Sequence, residues 1–222
     1  MFCFWIFLYG LLYSLSETVA SLYVDSVWLT PLTMLAYILL LLRWLTGTGK
    51  LTRMGLSRIH LSKTADLLYL IPLLLLPALN LPGMTAPVPL HYMLLMFCVC
   101  FAEELMFRGC LLSVLLRHLG KWGILCAALA FSLMHSVNLF SGAPASYVLV
   151  QMLLAFFSGV YYSLIRIHFK SLYPCIFSHF LTNITASTHY FIPGYYPILI
   201  AVLICSGLVL YFNISFQSED MS

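Results

Sequence analysis

Charged residues are scarce in this sequence. Only 8% of its 222 residues are Asp, Glu, Lys or Arg, whereas about 25% is usual for a soluble domain. Hydrophobic residues make up 63% of the chain, and the mean hydropathy is +1.02. This composition excludes an ordinary soluble protein and predicts a polytopic membrane protein. Because no long polar segment and no internal repeat occurs, we expect one transmembrane domain over residues 1–222.

Cysteine pairs and a basic N-terminus are also missing. The number of cysteines is odd and no CxxC pair occurs, so neither a disulfide framework nor a zinc cluster is indicated. The first ten residues, "MFCFWIFLYG", contain no Lys or Arg, which favours a first membrane span over a cleaved signal peptide. The seven cysteines, which we interpret as small core residues, are at positions 3, 98, 100, 110, 126, 175 and 205.

Long apolar runs fill most of the chain. A helix needs about 20 mainly apolar residues to cross the hydrocarbon of a bilayer. The third run is short and contains Pro72 and Pro77, so we expect it to be kinked or partly re-entrant. The eight candidate spans are about 2–23, 27–45, 66–81, 90–116, 122–138, 146–165, 172–190 and 195–213.

The basic residues indicate an orientation. With eight spans, nine of the ten Lys and Arg residues fall on one side of the membrane. Five of them lie between Arg43 and Lys63, and the others flank the turns near residues 117–121 and 166–170. By the positive-inside rule this side is cytoplasmic. The sequence thus predicts an all-α, polytopic membrane helical bundle of about eight transmembrane helices with cytoplasmic N and C termini.

The tenth basic residue, Arg108, shares the fourth span with Glu103 and Glu104. A charge at the bilayer centre costs on the order of 3 kcal/mol, so such residues are rare and usually functional. Glu104 and Arg108 are four residues apart and could form a purely structural ion pair. That pair does not explain Glu103. Two adjacent carboxylates in a low dielectric do not both ionise cheaply, which suits a group that exchanges protons.

Two further spans carry polar groups at helical spacing. Phe131 and His135 are four residues apart, as are His179 and Asn183. With a rise of 1.5 Å per residue, Glu103, His135 and Asn183 lie ~21, ~20 and ~18 Å from the cytoplasmic ends of their helices. Because helices of alternating direction bring these groups to one depth, we predict a single internal site.

This set of groups could hydrolyse an acyl bond. A glutamate and a histidine can deprotonate water, and a histidine and an amide can stabilise the resulting oxyanion. The sequence contains no HExxH, GxSxG or GxGD motif of other hydrolases. A metal site of carboxylates and histidines, a proton-coupled carrier and a structural subunit remain alternatives.

The three polar pairs, taken in order, resemble the motifs of a known family. They are Glu103-Glu104-x-x-x-Arg108, Phe131-x-x-x-His135 and His179-x-x-x-Asn183, and Gly109 completes a Phe-Arg-Gly sequence. In this order they resemble the CPBP (or Abi) intramembrane proteases, which include CAAX prenyl endopeptidases and bacteriocin-processing or immunity proteins, so a non-enzymatic immunity protein is a further alternative. The resemblance covers about residues 95–190, within a motif-bearing core of about 90–190.

The resemblance implies a glutamate-dependent endopeptidase that uses no metal and no other cofactor. It implies that Glu103 and His135 activate water, that His179 and Asn183 form the oxyanion hole, and that Glu104 and Arg108 support the site. The expected partners are the lipid bilayer and a membrane-anchored peptide or protein substrate, with no nucleic acid. The short loops suggest a bacterial plasma membrane as the location.

Overall fold

The computed structural model describes residues 2–22, 26–81, 86–140, 142–186 and 196–214. In these ranges the regular structure is entirely helical, which confirms the all-α prediction. Among the described residues, four helices are long and apolar enough to cross a membrane, and the chain is therefore an integral membrane protein. They are Phe4–Leu22, Leu29–Gly47, Trp122–Leu139 and Ala145–Phe169. The number of eight spans and the cytoplasmic termini stay predictions.

The α-helices follow the predicted runs closely. Within the described ranges they are α1 (Phe2–Leu22), α2 (Leu29–Gly47), α3 (Ile71–Asn80), α4 (Leu90–Glu104), α5 (Leu112–Leu119), α6 (Trp122–Met134), α7 (Ala145–Phe169), α8 (Tyr173–Ala186) and α9 (Tyr196–Asn213). The last predicted residues of the seventh span, 187–190, lie outside the described residues.

The predicted fourth span is one continuous rod with a change of winding. Helix α4 passes directly into a π-helical segment, Leu105–Leu111, which passes into α5. Short π-helical segments are rare and frequent at functional sites. This one begins immediately after Glu104 and contains Arg108, so the local winding determines where the charged side chains point.

The proline-containing third run consists of two helical segments, and its kinked or re-entrant form stays a prediction. A 3₁₀ segment, Thr64–Leu70, precedes the ten-residue α3, which contains Pro77. Proline has no N–H to donate to the carbonyl four residues earlier, here that of Leu73. The Ser178 hydroxyl of α8 donates to this carbonyl instead, at 2.6 Å. The proline thereby creates an attachment point between α3 and the helix that carries His179.

The hairpin between α5 and α6 depends on two glycines. Gly120 ends α5 with a positive φ of 55°, which glycine adopts at little cost. A Cβ atom on Gly123 would lie 2.6 Å from the carbonyl carbon of Leu115, so only glycine permits this close approach. The hairpin directs α6 back along α5 towards the site.

The basic loop of residues 50–62 is docked against the turn between α7 and α8. The Leu172 N–H donates to the Gly55 carbonyl at 2.8 Å, and the His60 N–H donates to the Phe169 carbonyl at 2.9 Å. The Ser171 hydroxyl adds a bond to the Ser57 carbonyl at 2.8 Å. These bonds fix the start of α8.

The core lies on both sides of the rod formed by α4, the π-helical segment and α5. One cluster, which includes Tyr37 and Leu105, joins α1 and α2 to α4. A second cluster, which includes Leu112 and Ile165, joins α5 to α6, α7 and α9. The rod with the acidic pair is thus surrounded by helices, and its polar groups face the protein interior.

Candidate active site

Glu104 and Arg108 form a fully buried ion pair. Their side chains are 0% and 1% exposed, and Arg108 Nη1 lies 2.8 Å from Glu104 Oε1. The guanidinium carbon is 4.0 Å from the centroid of the Phe131 ring and 5.5 Å from that of Tyr162, so two aromatic faces contact the cation. A Cβ atom on Gly159 would lie 3.1 Å from Arg108 Nη2, so glycine leaves room for the guanidinium.

His179 connects this pair to Glu103. Its Nδ1 lies 2.9 Å from Glu104 Oε1, and its Nε2 lies 3.8 Å from Glu103 Oε2. Since a carboxylate paired with Arg108 can only accept hydrogen bonds, Nδ1 carries a proton and donates it. Glu104 therefore orients His179 so that its other nitrogen faces Glu103.

Glu103 is the more accessible of the two glutamates. Its side chain is 22% exposed, whereas that of Glu104 is completely buried. The Tyr9 hydroxyl of α1 donates to Glu103 Oε1 at 3.3 Å. Tyr9 in turn packs against the buried ring of Tyr37, with centroids 5.8 Å apart. Glu103 is thus held by a hydroxyl on one oxygen and lies near an imidazole on the other.

His135 is the first residue of a 3₁₀ segment, His135–Leu139, that continues α6. Its Nδ1 donates to the Phe131 carbonyl at 3.0 Å, because a carbonyl oxygen can only accept. In the neutral ring Nε2 is consequently an acceptor. The Phe131 ring also contacts His135 and His179 edge to face, with centroids 4.9 and 5.8 Å apart. Phe131 thus positions both histidines as well as Arg108.

Asn183 lies one turn after His179 on α8, as the spacing predicts. Its Nδ2 donates to the Cys100 sulfur at 3.3 Å. Cys100 is completely buried in α4. One N–H of the carboxamide is therefore used to fix its orientation, and the second remains available for another acceptor.

Four of the six predicted site residues line one cavity of about 610 Å³. They are Glu103, His135, His179 and Asn183. Glu104 and Arg108 lie behind His179 and do not line it. Four of the predicted groups thus lie at the surface of one cavity, and the Glu104–Arg108 pair lies behind them. Apolar and aromatic side chains complete the wall, among them Tyr13, Tyr92, Met96, Tyr147, Met106 and Met134.

The two histidines and Asn183 also border a second, smaller recess of about 130 Å³. Its own polar lining includes Ser158 and Thr182. These three side chains lie between the cavity and the recess, so an extended peptide that occupies both would pass over them. In the described part of the chain, no group of three or more His, Cys, Asp or Glu is arranged to hold a metal ion.

The sequence motifs missed three residues that contact this site. Tyr9 lies in α1, outside every motif, and nothing in its apolar surroundings distinguishes it from other span tyrosines. Tyr162 contacts Arg108 and shares a hydrogen bond of 2.8 Å with Ser178, but carries no spacing signal. Cys100 is buried, as predicted for a core residue, but the sequence did not predict its contact with Asn183.

Apolar helices of membrane-spanning length and an internal site of carboxylates, imidazoles and an amide define an integral membrane protein with the groups of a hydrolase. Residues 85–185, a little under half of the chain, match the family model described as type II CAAX prenyl endopeptidase Rce1-like. This match confirms the resemblance to the CPBP family, a family of proteases, over the segment that carries the site. No curated protein and no solved structure matches the chain.

Proposed function

We propose that this protein is an intramembrane endopeptidase in which Glu103 is the general base. The proposal rests on the different surroundings of two adjacent glutamates. Glu104 is buried behind His179 and paired with Arg108, whereas Glu103 lines a cavity together with His135, His179 and Asn183. The four polar groups share this cavity with apolar and aromatic side chains, so it offers hydrogen-bonding partners for water and an apolar wall for a peptide.

In the first step, water lies between Glu103 and His135 Nε2. Glu103 takes one proton from the water as the oxygen bonds to the carbonyl carbon of the substrate, and the carbonyl becomes an oxyanion. Tyr9 keeps the carboxylate in place through its bond to Oε1. His135 accepts a hydrogen bond from the water, because its Nδ1 proton is engaged by the Phe131 carbonyl.

The oxyanion is stabilised by His179 and Asn183. Asn183 supplies its second N–H. Since Nδ1 of His179 already donates to Glu104, His179 can donate from Nε2 only as the imidazolium. Glu103 then gives its proton to the amide nitrogen as the carbon–nitrogen bond breaks. This completes hydrolysis, with water as the only co-reactant.

The substrate we propose is a membrane-anchored peptide or protein. The cavity wall combines tyrosine hydroxyls with methionine side chains, which suits an extended segment with apolar side chains. The site lies within the helical bundle, so a substrate in the same bilayer reaches it without leaving the membrane. From the short loops we also propose that the protein is bacterial and lies in the plasma membrane.

The test compares two glutamate variants in liposomes that contain a library of membrane-anchored reporter peptides. Glu103→Gln should lower cleavage at least about 100-fold, since general-base catalysis contributes about 10²–10⁴-fold. Glu17→Gln is the matched control, because Glu17 is exposed on α1 and does not line the cavity. Cleavage by Glu103→Gln at the rate of the control would refute the proposal. Cleavage that a chelator abolishes and zinc restores would instead favour the metal-dependent alternative.

A further inference from the structure

A second concave surface lies away from the active site, between α6, α7 and α9. It is a groove of about 360 Å³ and shares no lining residue with the active-site cavity. Its walls are apolar side chains, including Leu125 of α6, Val160 of α7 and Leu208 of α9. Helix α9 packs mainly on α7 and α3, so the groove is the gap between α9 and α6.

The groove is open to the surroundings of the protein. Trp122, Leu125 and Leu208 are 64%, 41% and 53% exposed. Gly207 forms part of its floor, and a Cβ atom there would lie 3.7 Å from Leu164 and Tyr161, which is ordinary contact. The site accommodates a Cβ atom, and a larger side chain at 207 would take up space in the groove. In a membrane, the acyl chain of a lipid can occupy such an open apolar groove.

One end of the groove carries a positive charge. Lys121 lines it, is exposed, and lies in the turn between α5 and α6 beside Trp122. The sequence contains no Asp or Glu between Glu104 and Glu219. Among the described residues, no ion pair involves Lys121. Arg117, exposed in the last turn of α5, does not line the groove.

We propose that this groove binds an anionic phospholipid, with the phosphate on Lys121 and one acyl chain between α6 and α9. The charge at the rim matches an anionic headgroup, and the apolar wall matches the chain. A tryptophan beside a lysine is typical of the membrane–water interface, where the lysine stem lies along apolar surface. The turn is on the predicted cytoplasmic side, where anionic lipids concentrate. The bound chain would tie α9 to α6, the helix that leads to His135.

Trp122 makes the site measurable without any assay of proteolysis. The protein is reconstituted in phosphatidylcholine bilayers that contain brominated phosphatidylglycerol or, at the same mole fraction, brominated phosphatidylcholine. Bromine quenches nearby tryptophan, and subtracting the quenching of Trp122→Phe isolates the Trp122 signal. We expect about fivefold preferential quenching by phosphatidylglycerol, the effect of one lysine near the lipid surface. The preference should fall as salt is added.

Three variants separate the contribution of the headgroup from that of the acyl chain. Lys121→Gln should abolish the headgroup preference, and Lys121→Arg should keep it. Gly207→Leu should reduce Trp122 quenching by both lipids, because it fills the groove. Equal quenching of the wild-type protein by both lipids, or an unchanged preference in Lys121→Gln, would overturn the proposal. A preference that emerges only in Glu219→Gln with Asp220→Asn would also overturn it, because the chain's own acidic residues would then be the partner of Lys121.

Discussion

The sharpest prediction concerns the buried pair of Glu104 and Arg108. Replacing Arg108 with Met should lower the free energy of unfolding by about 3–5 kcal/mol, because it leaves a buried carboxylate without its counter-charge. Glu104 is 0% exposed, and its Oε2 has no hydrogen-bond partner among the described residues. The negative charge of the buried carboxylate is therefore compensated through Oε1, which accepts hydrogen bonds from Arg108 and His179. The contact of the guanidinium with Phe131 contributes up to about 2 kcal/mol of the same loss.

The double variant Glu104→Gln, Arg108→Met is the decisive comparison. It removes both charges, while the glutamine carbonyl can still accept from His179 Nδ1. It should be more stable than Arg108→Met alone by at least about 2 kcal/mol, since the uncompensated buried charge is gone. The free energy of unfolding is measured by SDS titration in mixed micelles, with each variant in the same lipid and detergent.

The matched control is Arg117→Met, an exposed arginine on the same rod. Its stability should stay within about 0.5 kcal/mol of the wild-type protein. If the double variant is as unstable as Arg108→Met or less stable, the two side chains do not stabilise each other. The inference that Arg108 and Glu104 form a stabilising ion pair behind His179 would then be wrong.

Two other hydrogen bonds give independent tests. Tyr9→Phe removes the donor to Glu103 Oε1 and should lower kcat about tenfold, the effect of about 1.4 kcal/mol; a matching loss of thermal stability would assign Tyr9 a structural role instead. Ser178→Ala leaves the Leu73 carbonyl and the Tyr162 hydroxyl without their partner and should cost about 1–3 kcal/mol in SDS titration. An unchanged stability would mean that other groups satisfy that carbonyl.

Much of the fold could be predicted from the sequence because the bilayer imposes simple rules. Apolar runs of fixed length must be helical, since no water is present to satisfy an open backbone. Charges in such runs are expensive, so Glu103, Glu104 and Arg108 made their span the candidate for a functional site. Spacing alone placed His179 and Asn183 on one face of α8, and both line the cavity.

What only the tertiary structure decided is which of these groups faces the cavity. Glu103 and Glu104 are neighbours on α4 and point in different directions from it, and the packing of the other helices leaves Glu103 at the cavity and buries Glu104. Tyr9 reaches Glu103 from 94 residues away, a contact that no local pattern encodes. The periodicity of a sequence predicts which face of a helix is apolar. It does not predict which side chains of other helices that face contacts, because those contacts depend on how all the helices pack together.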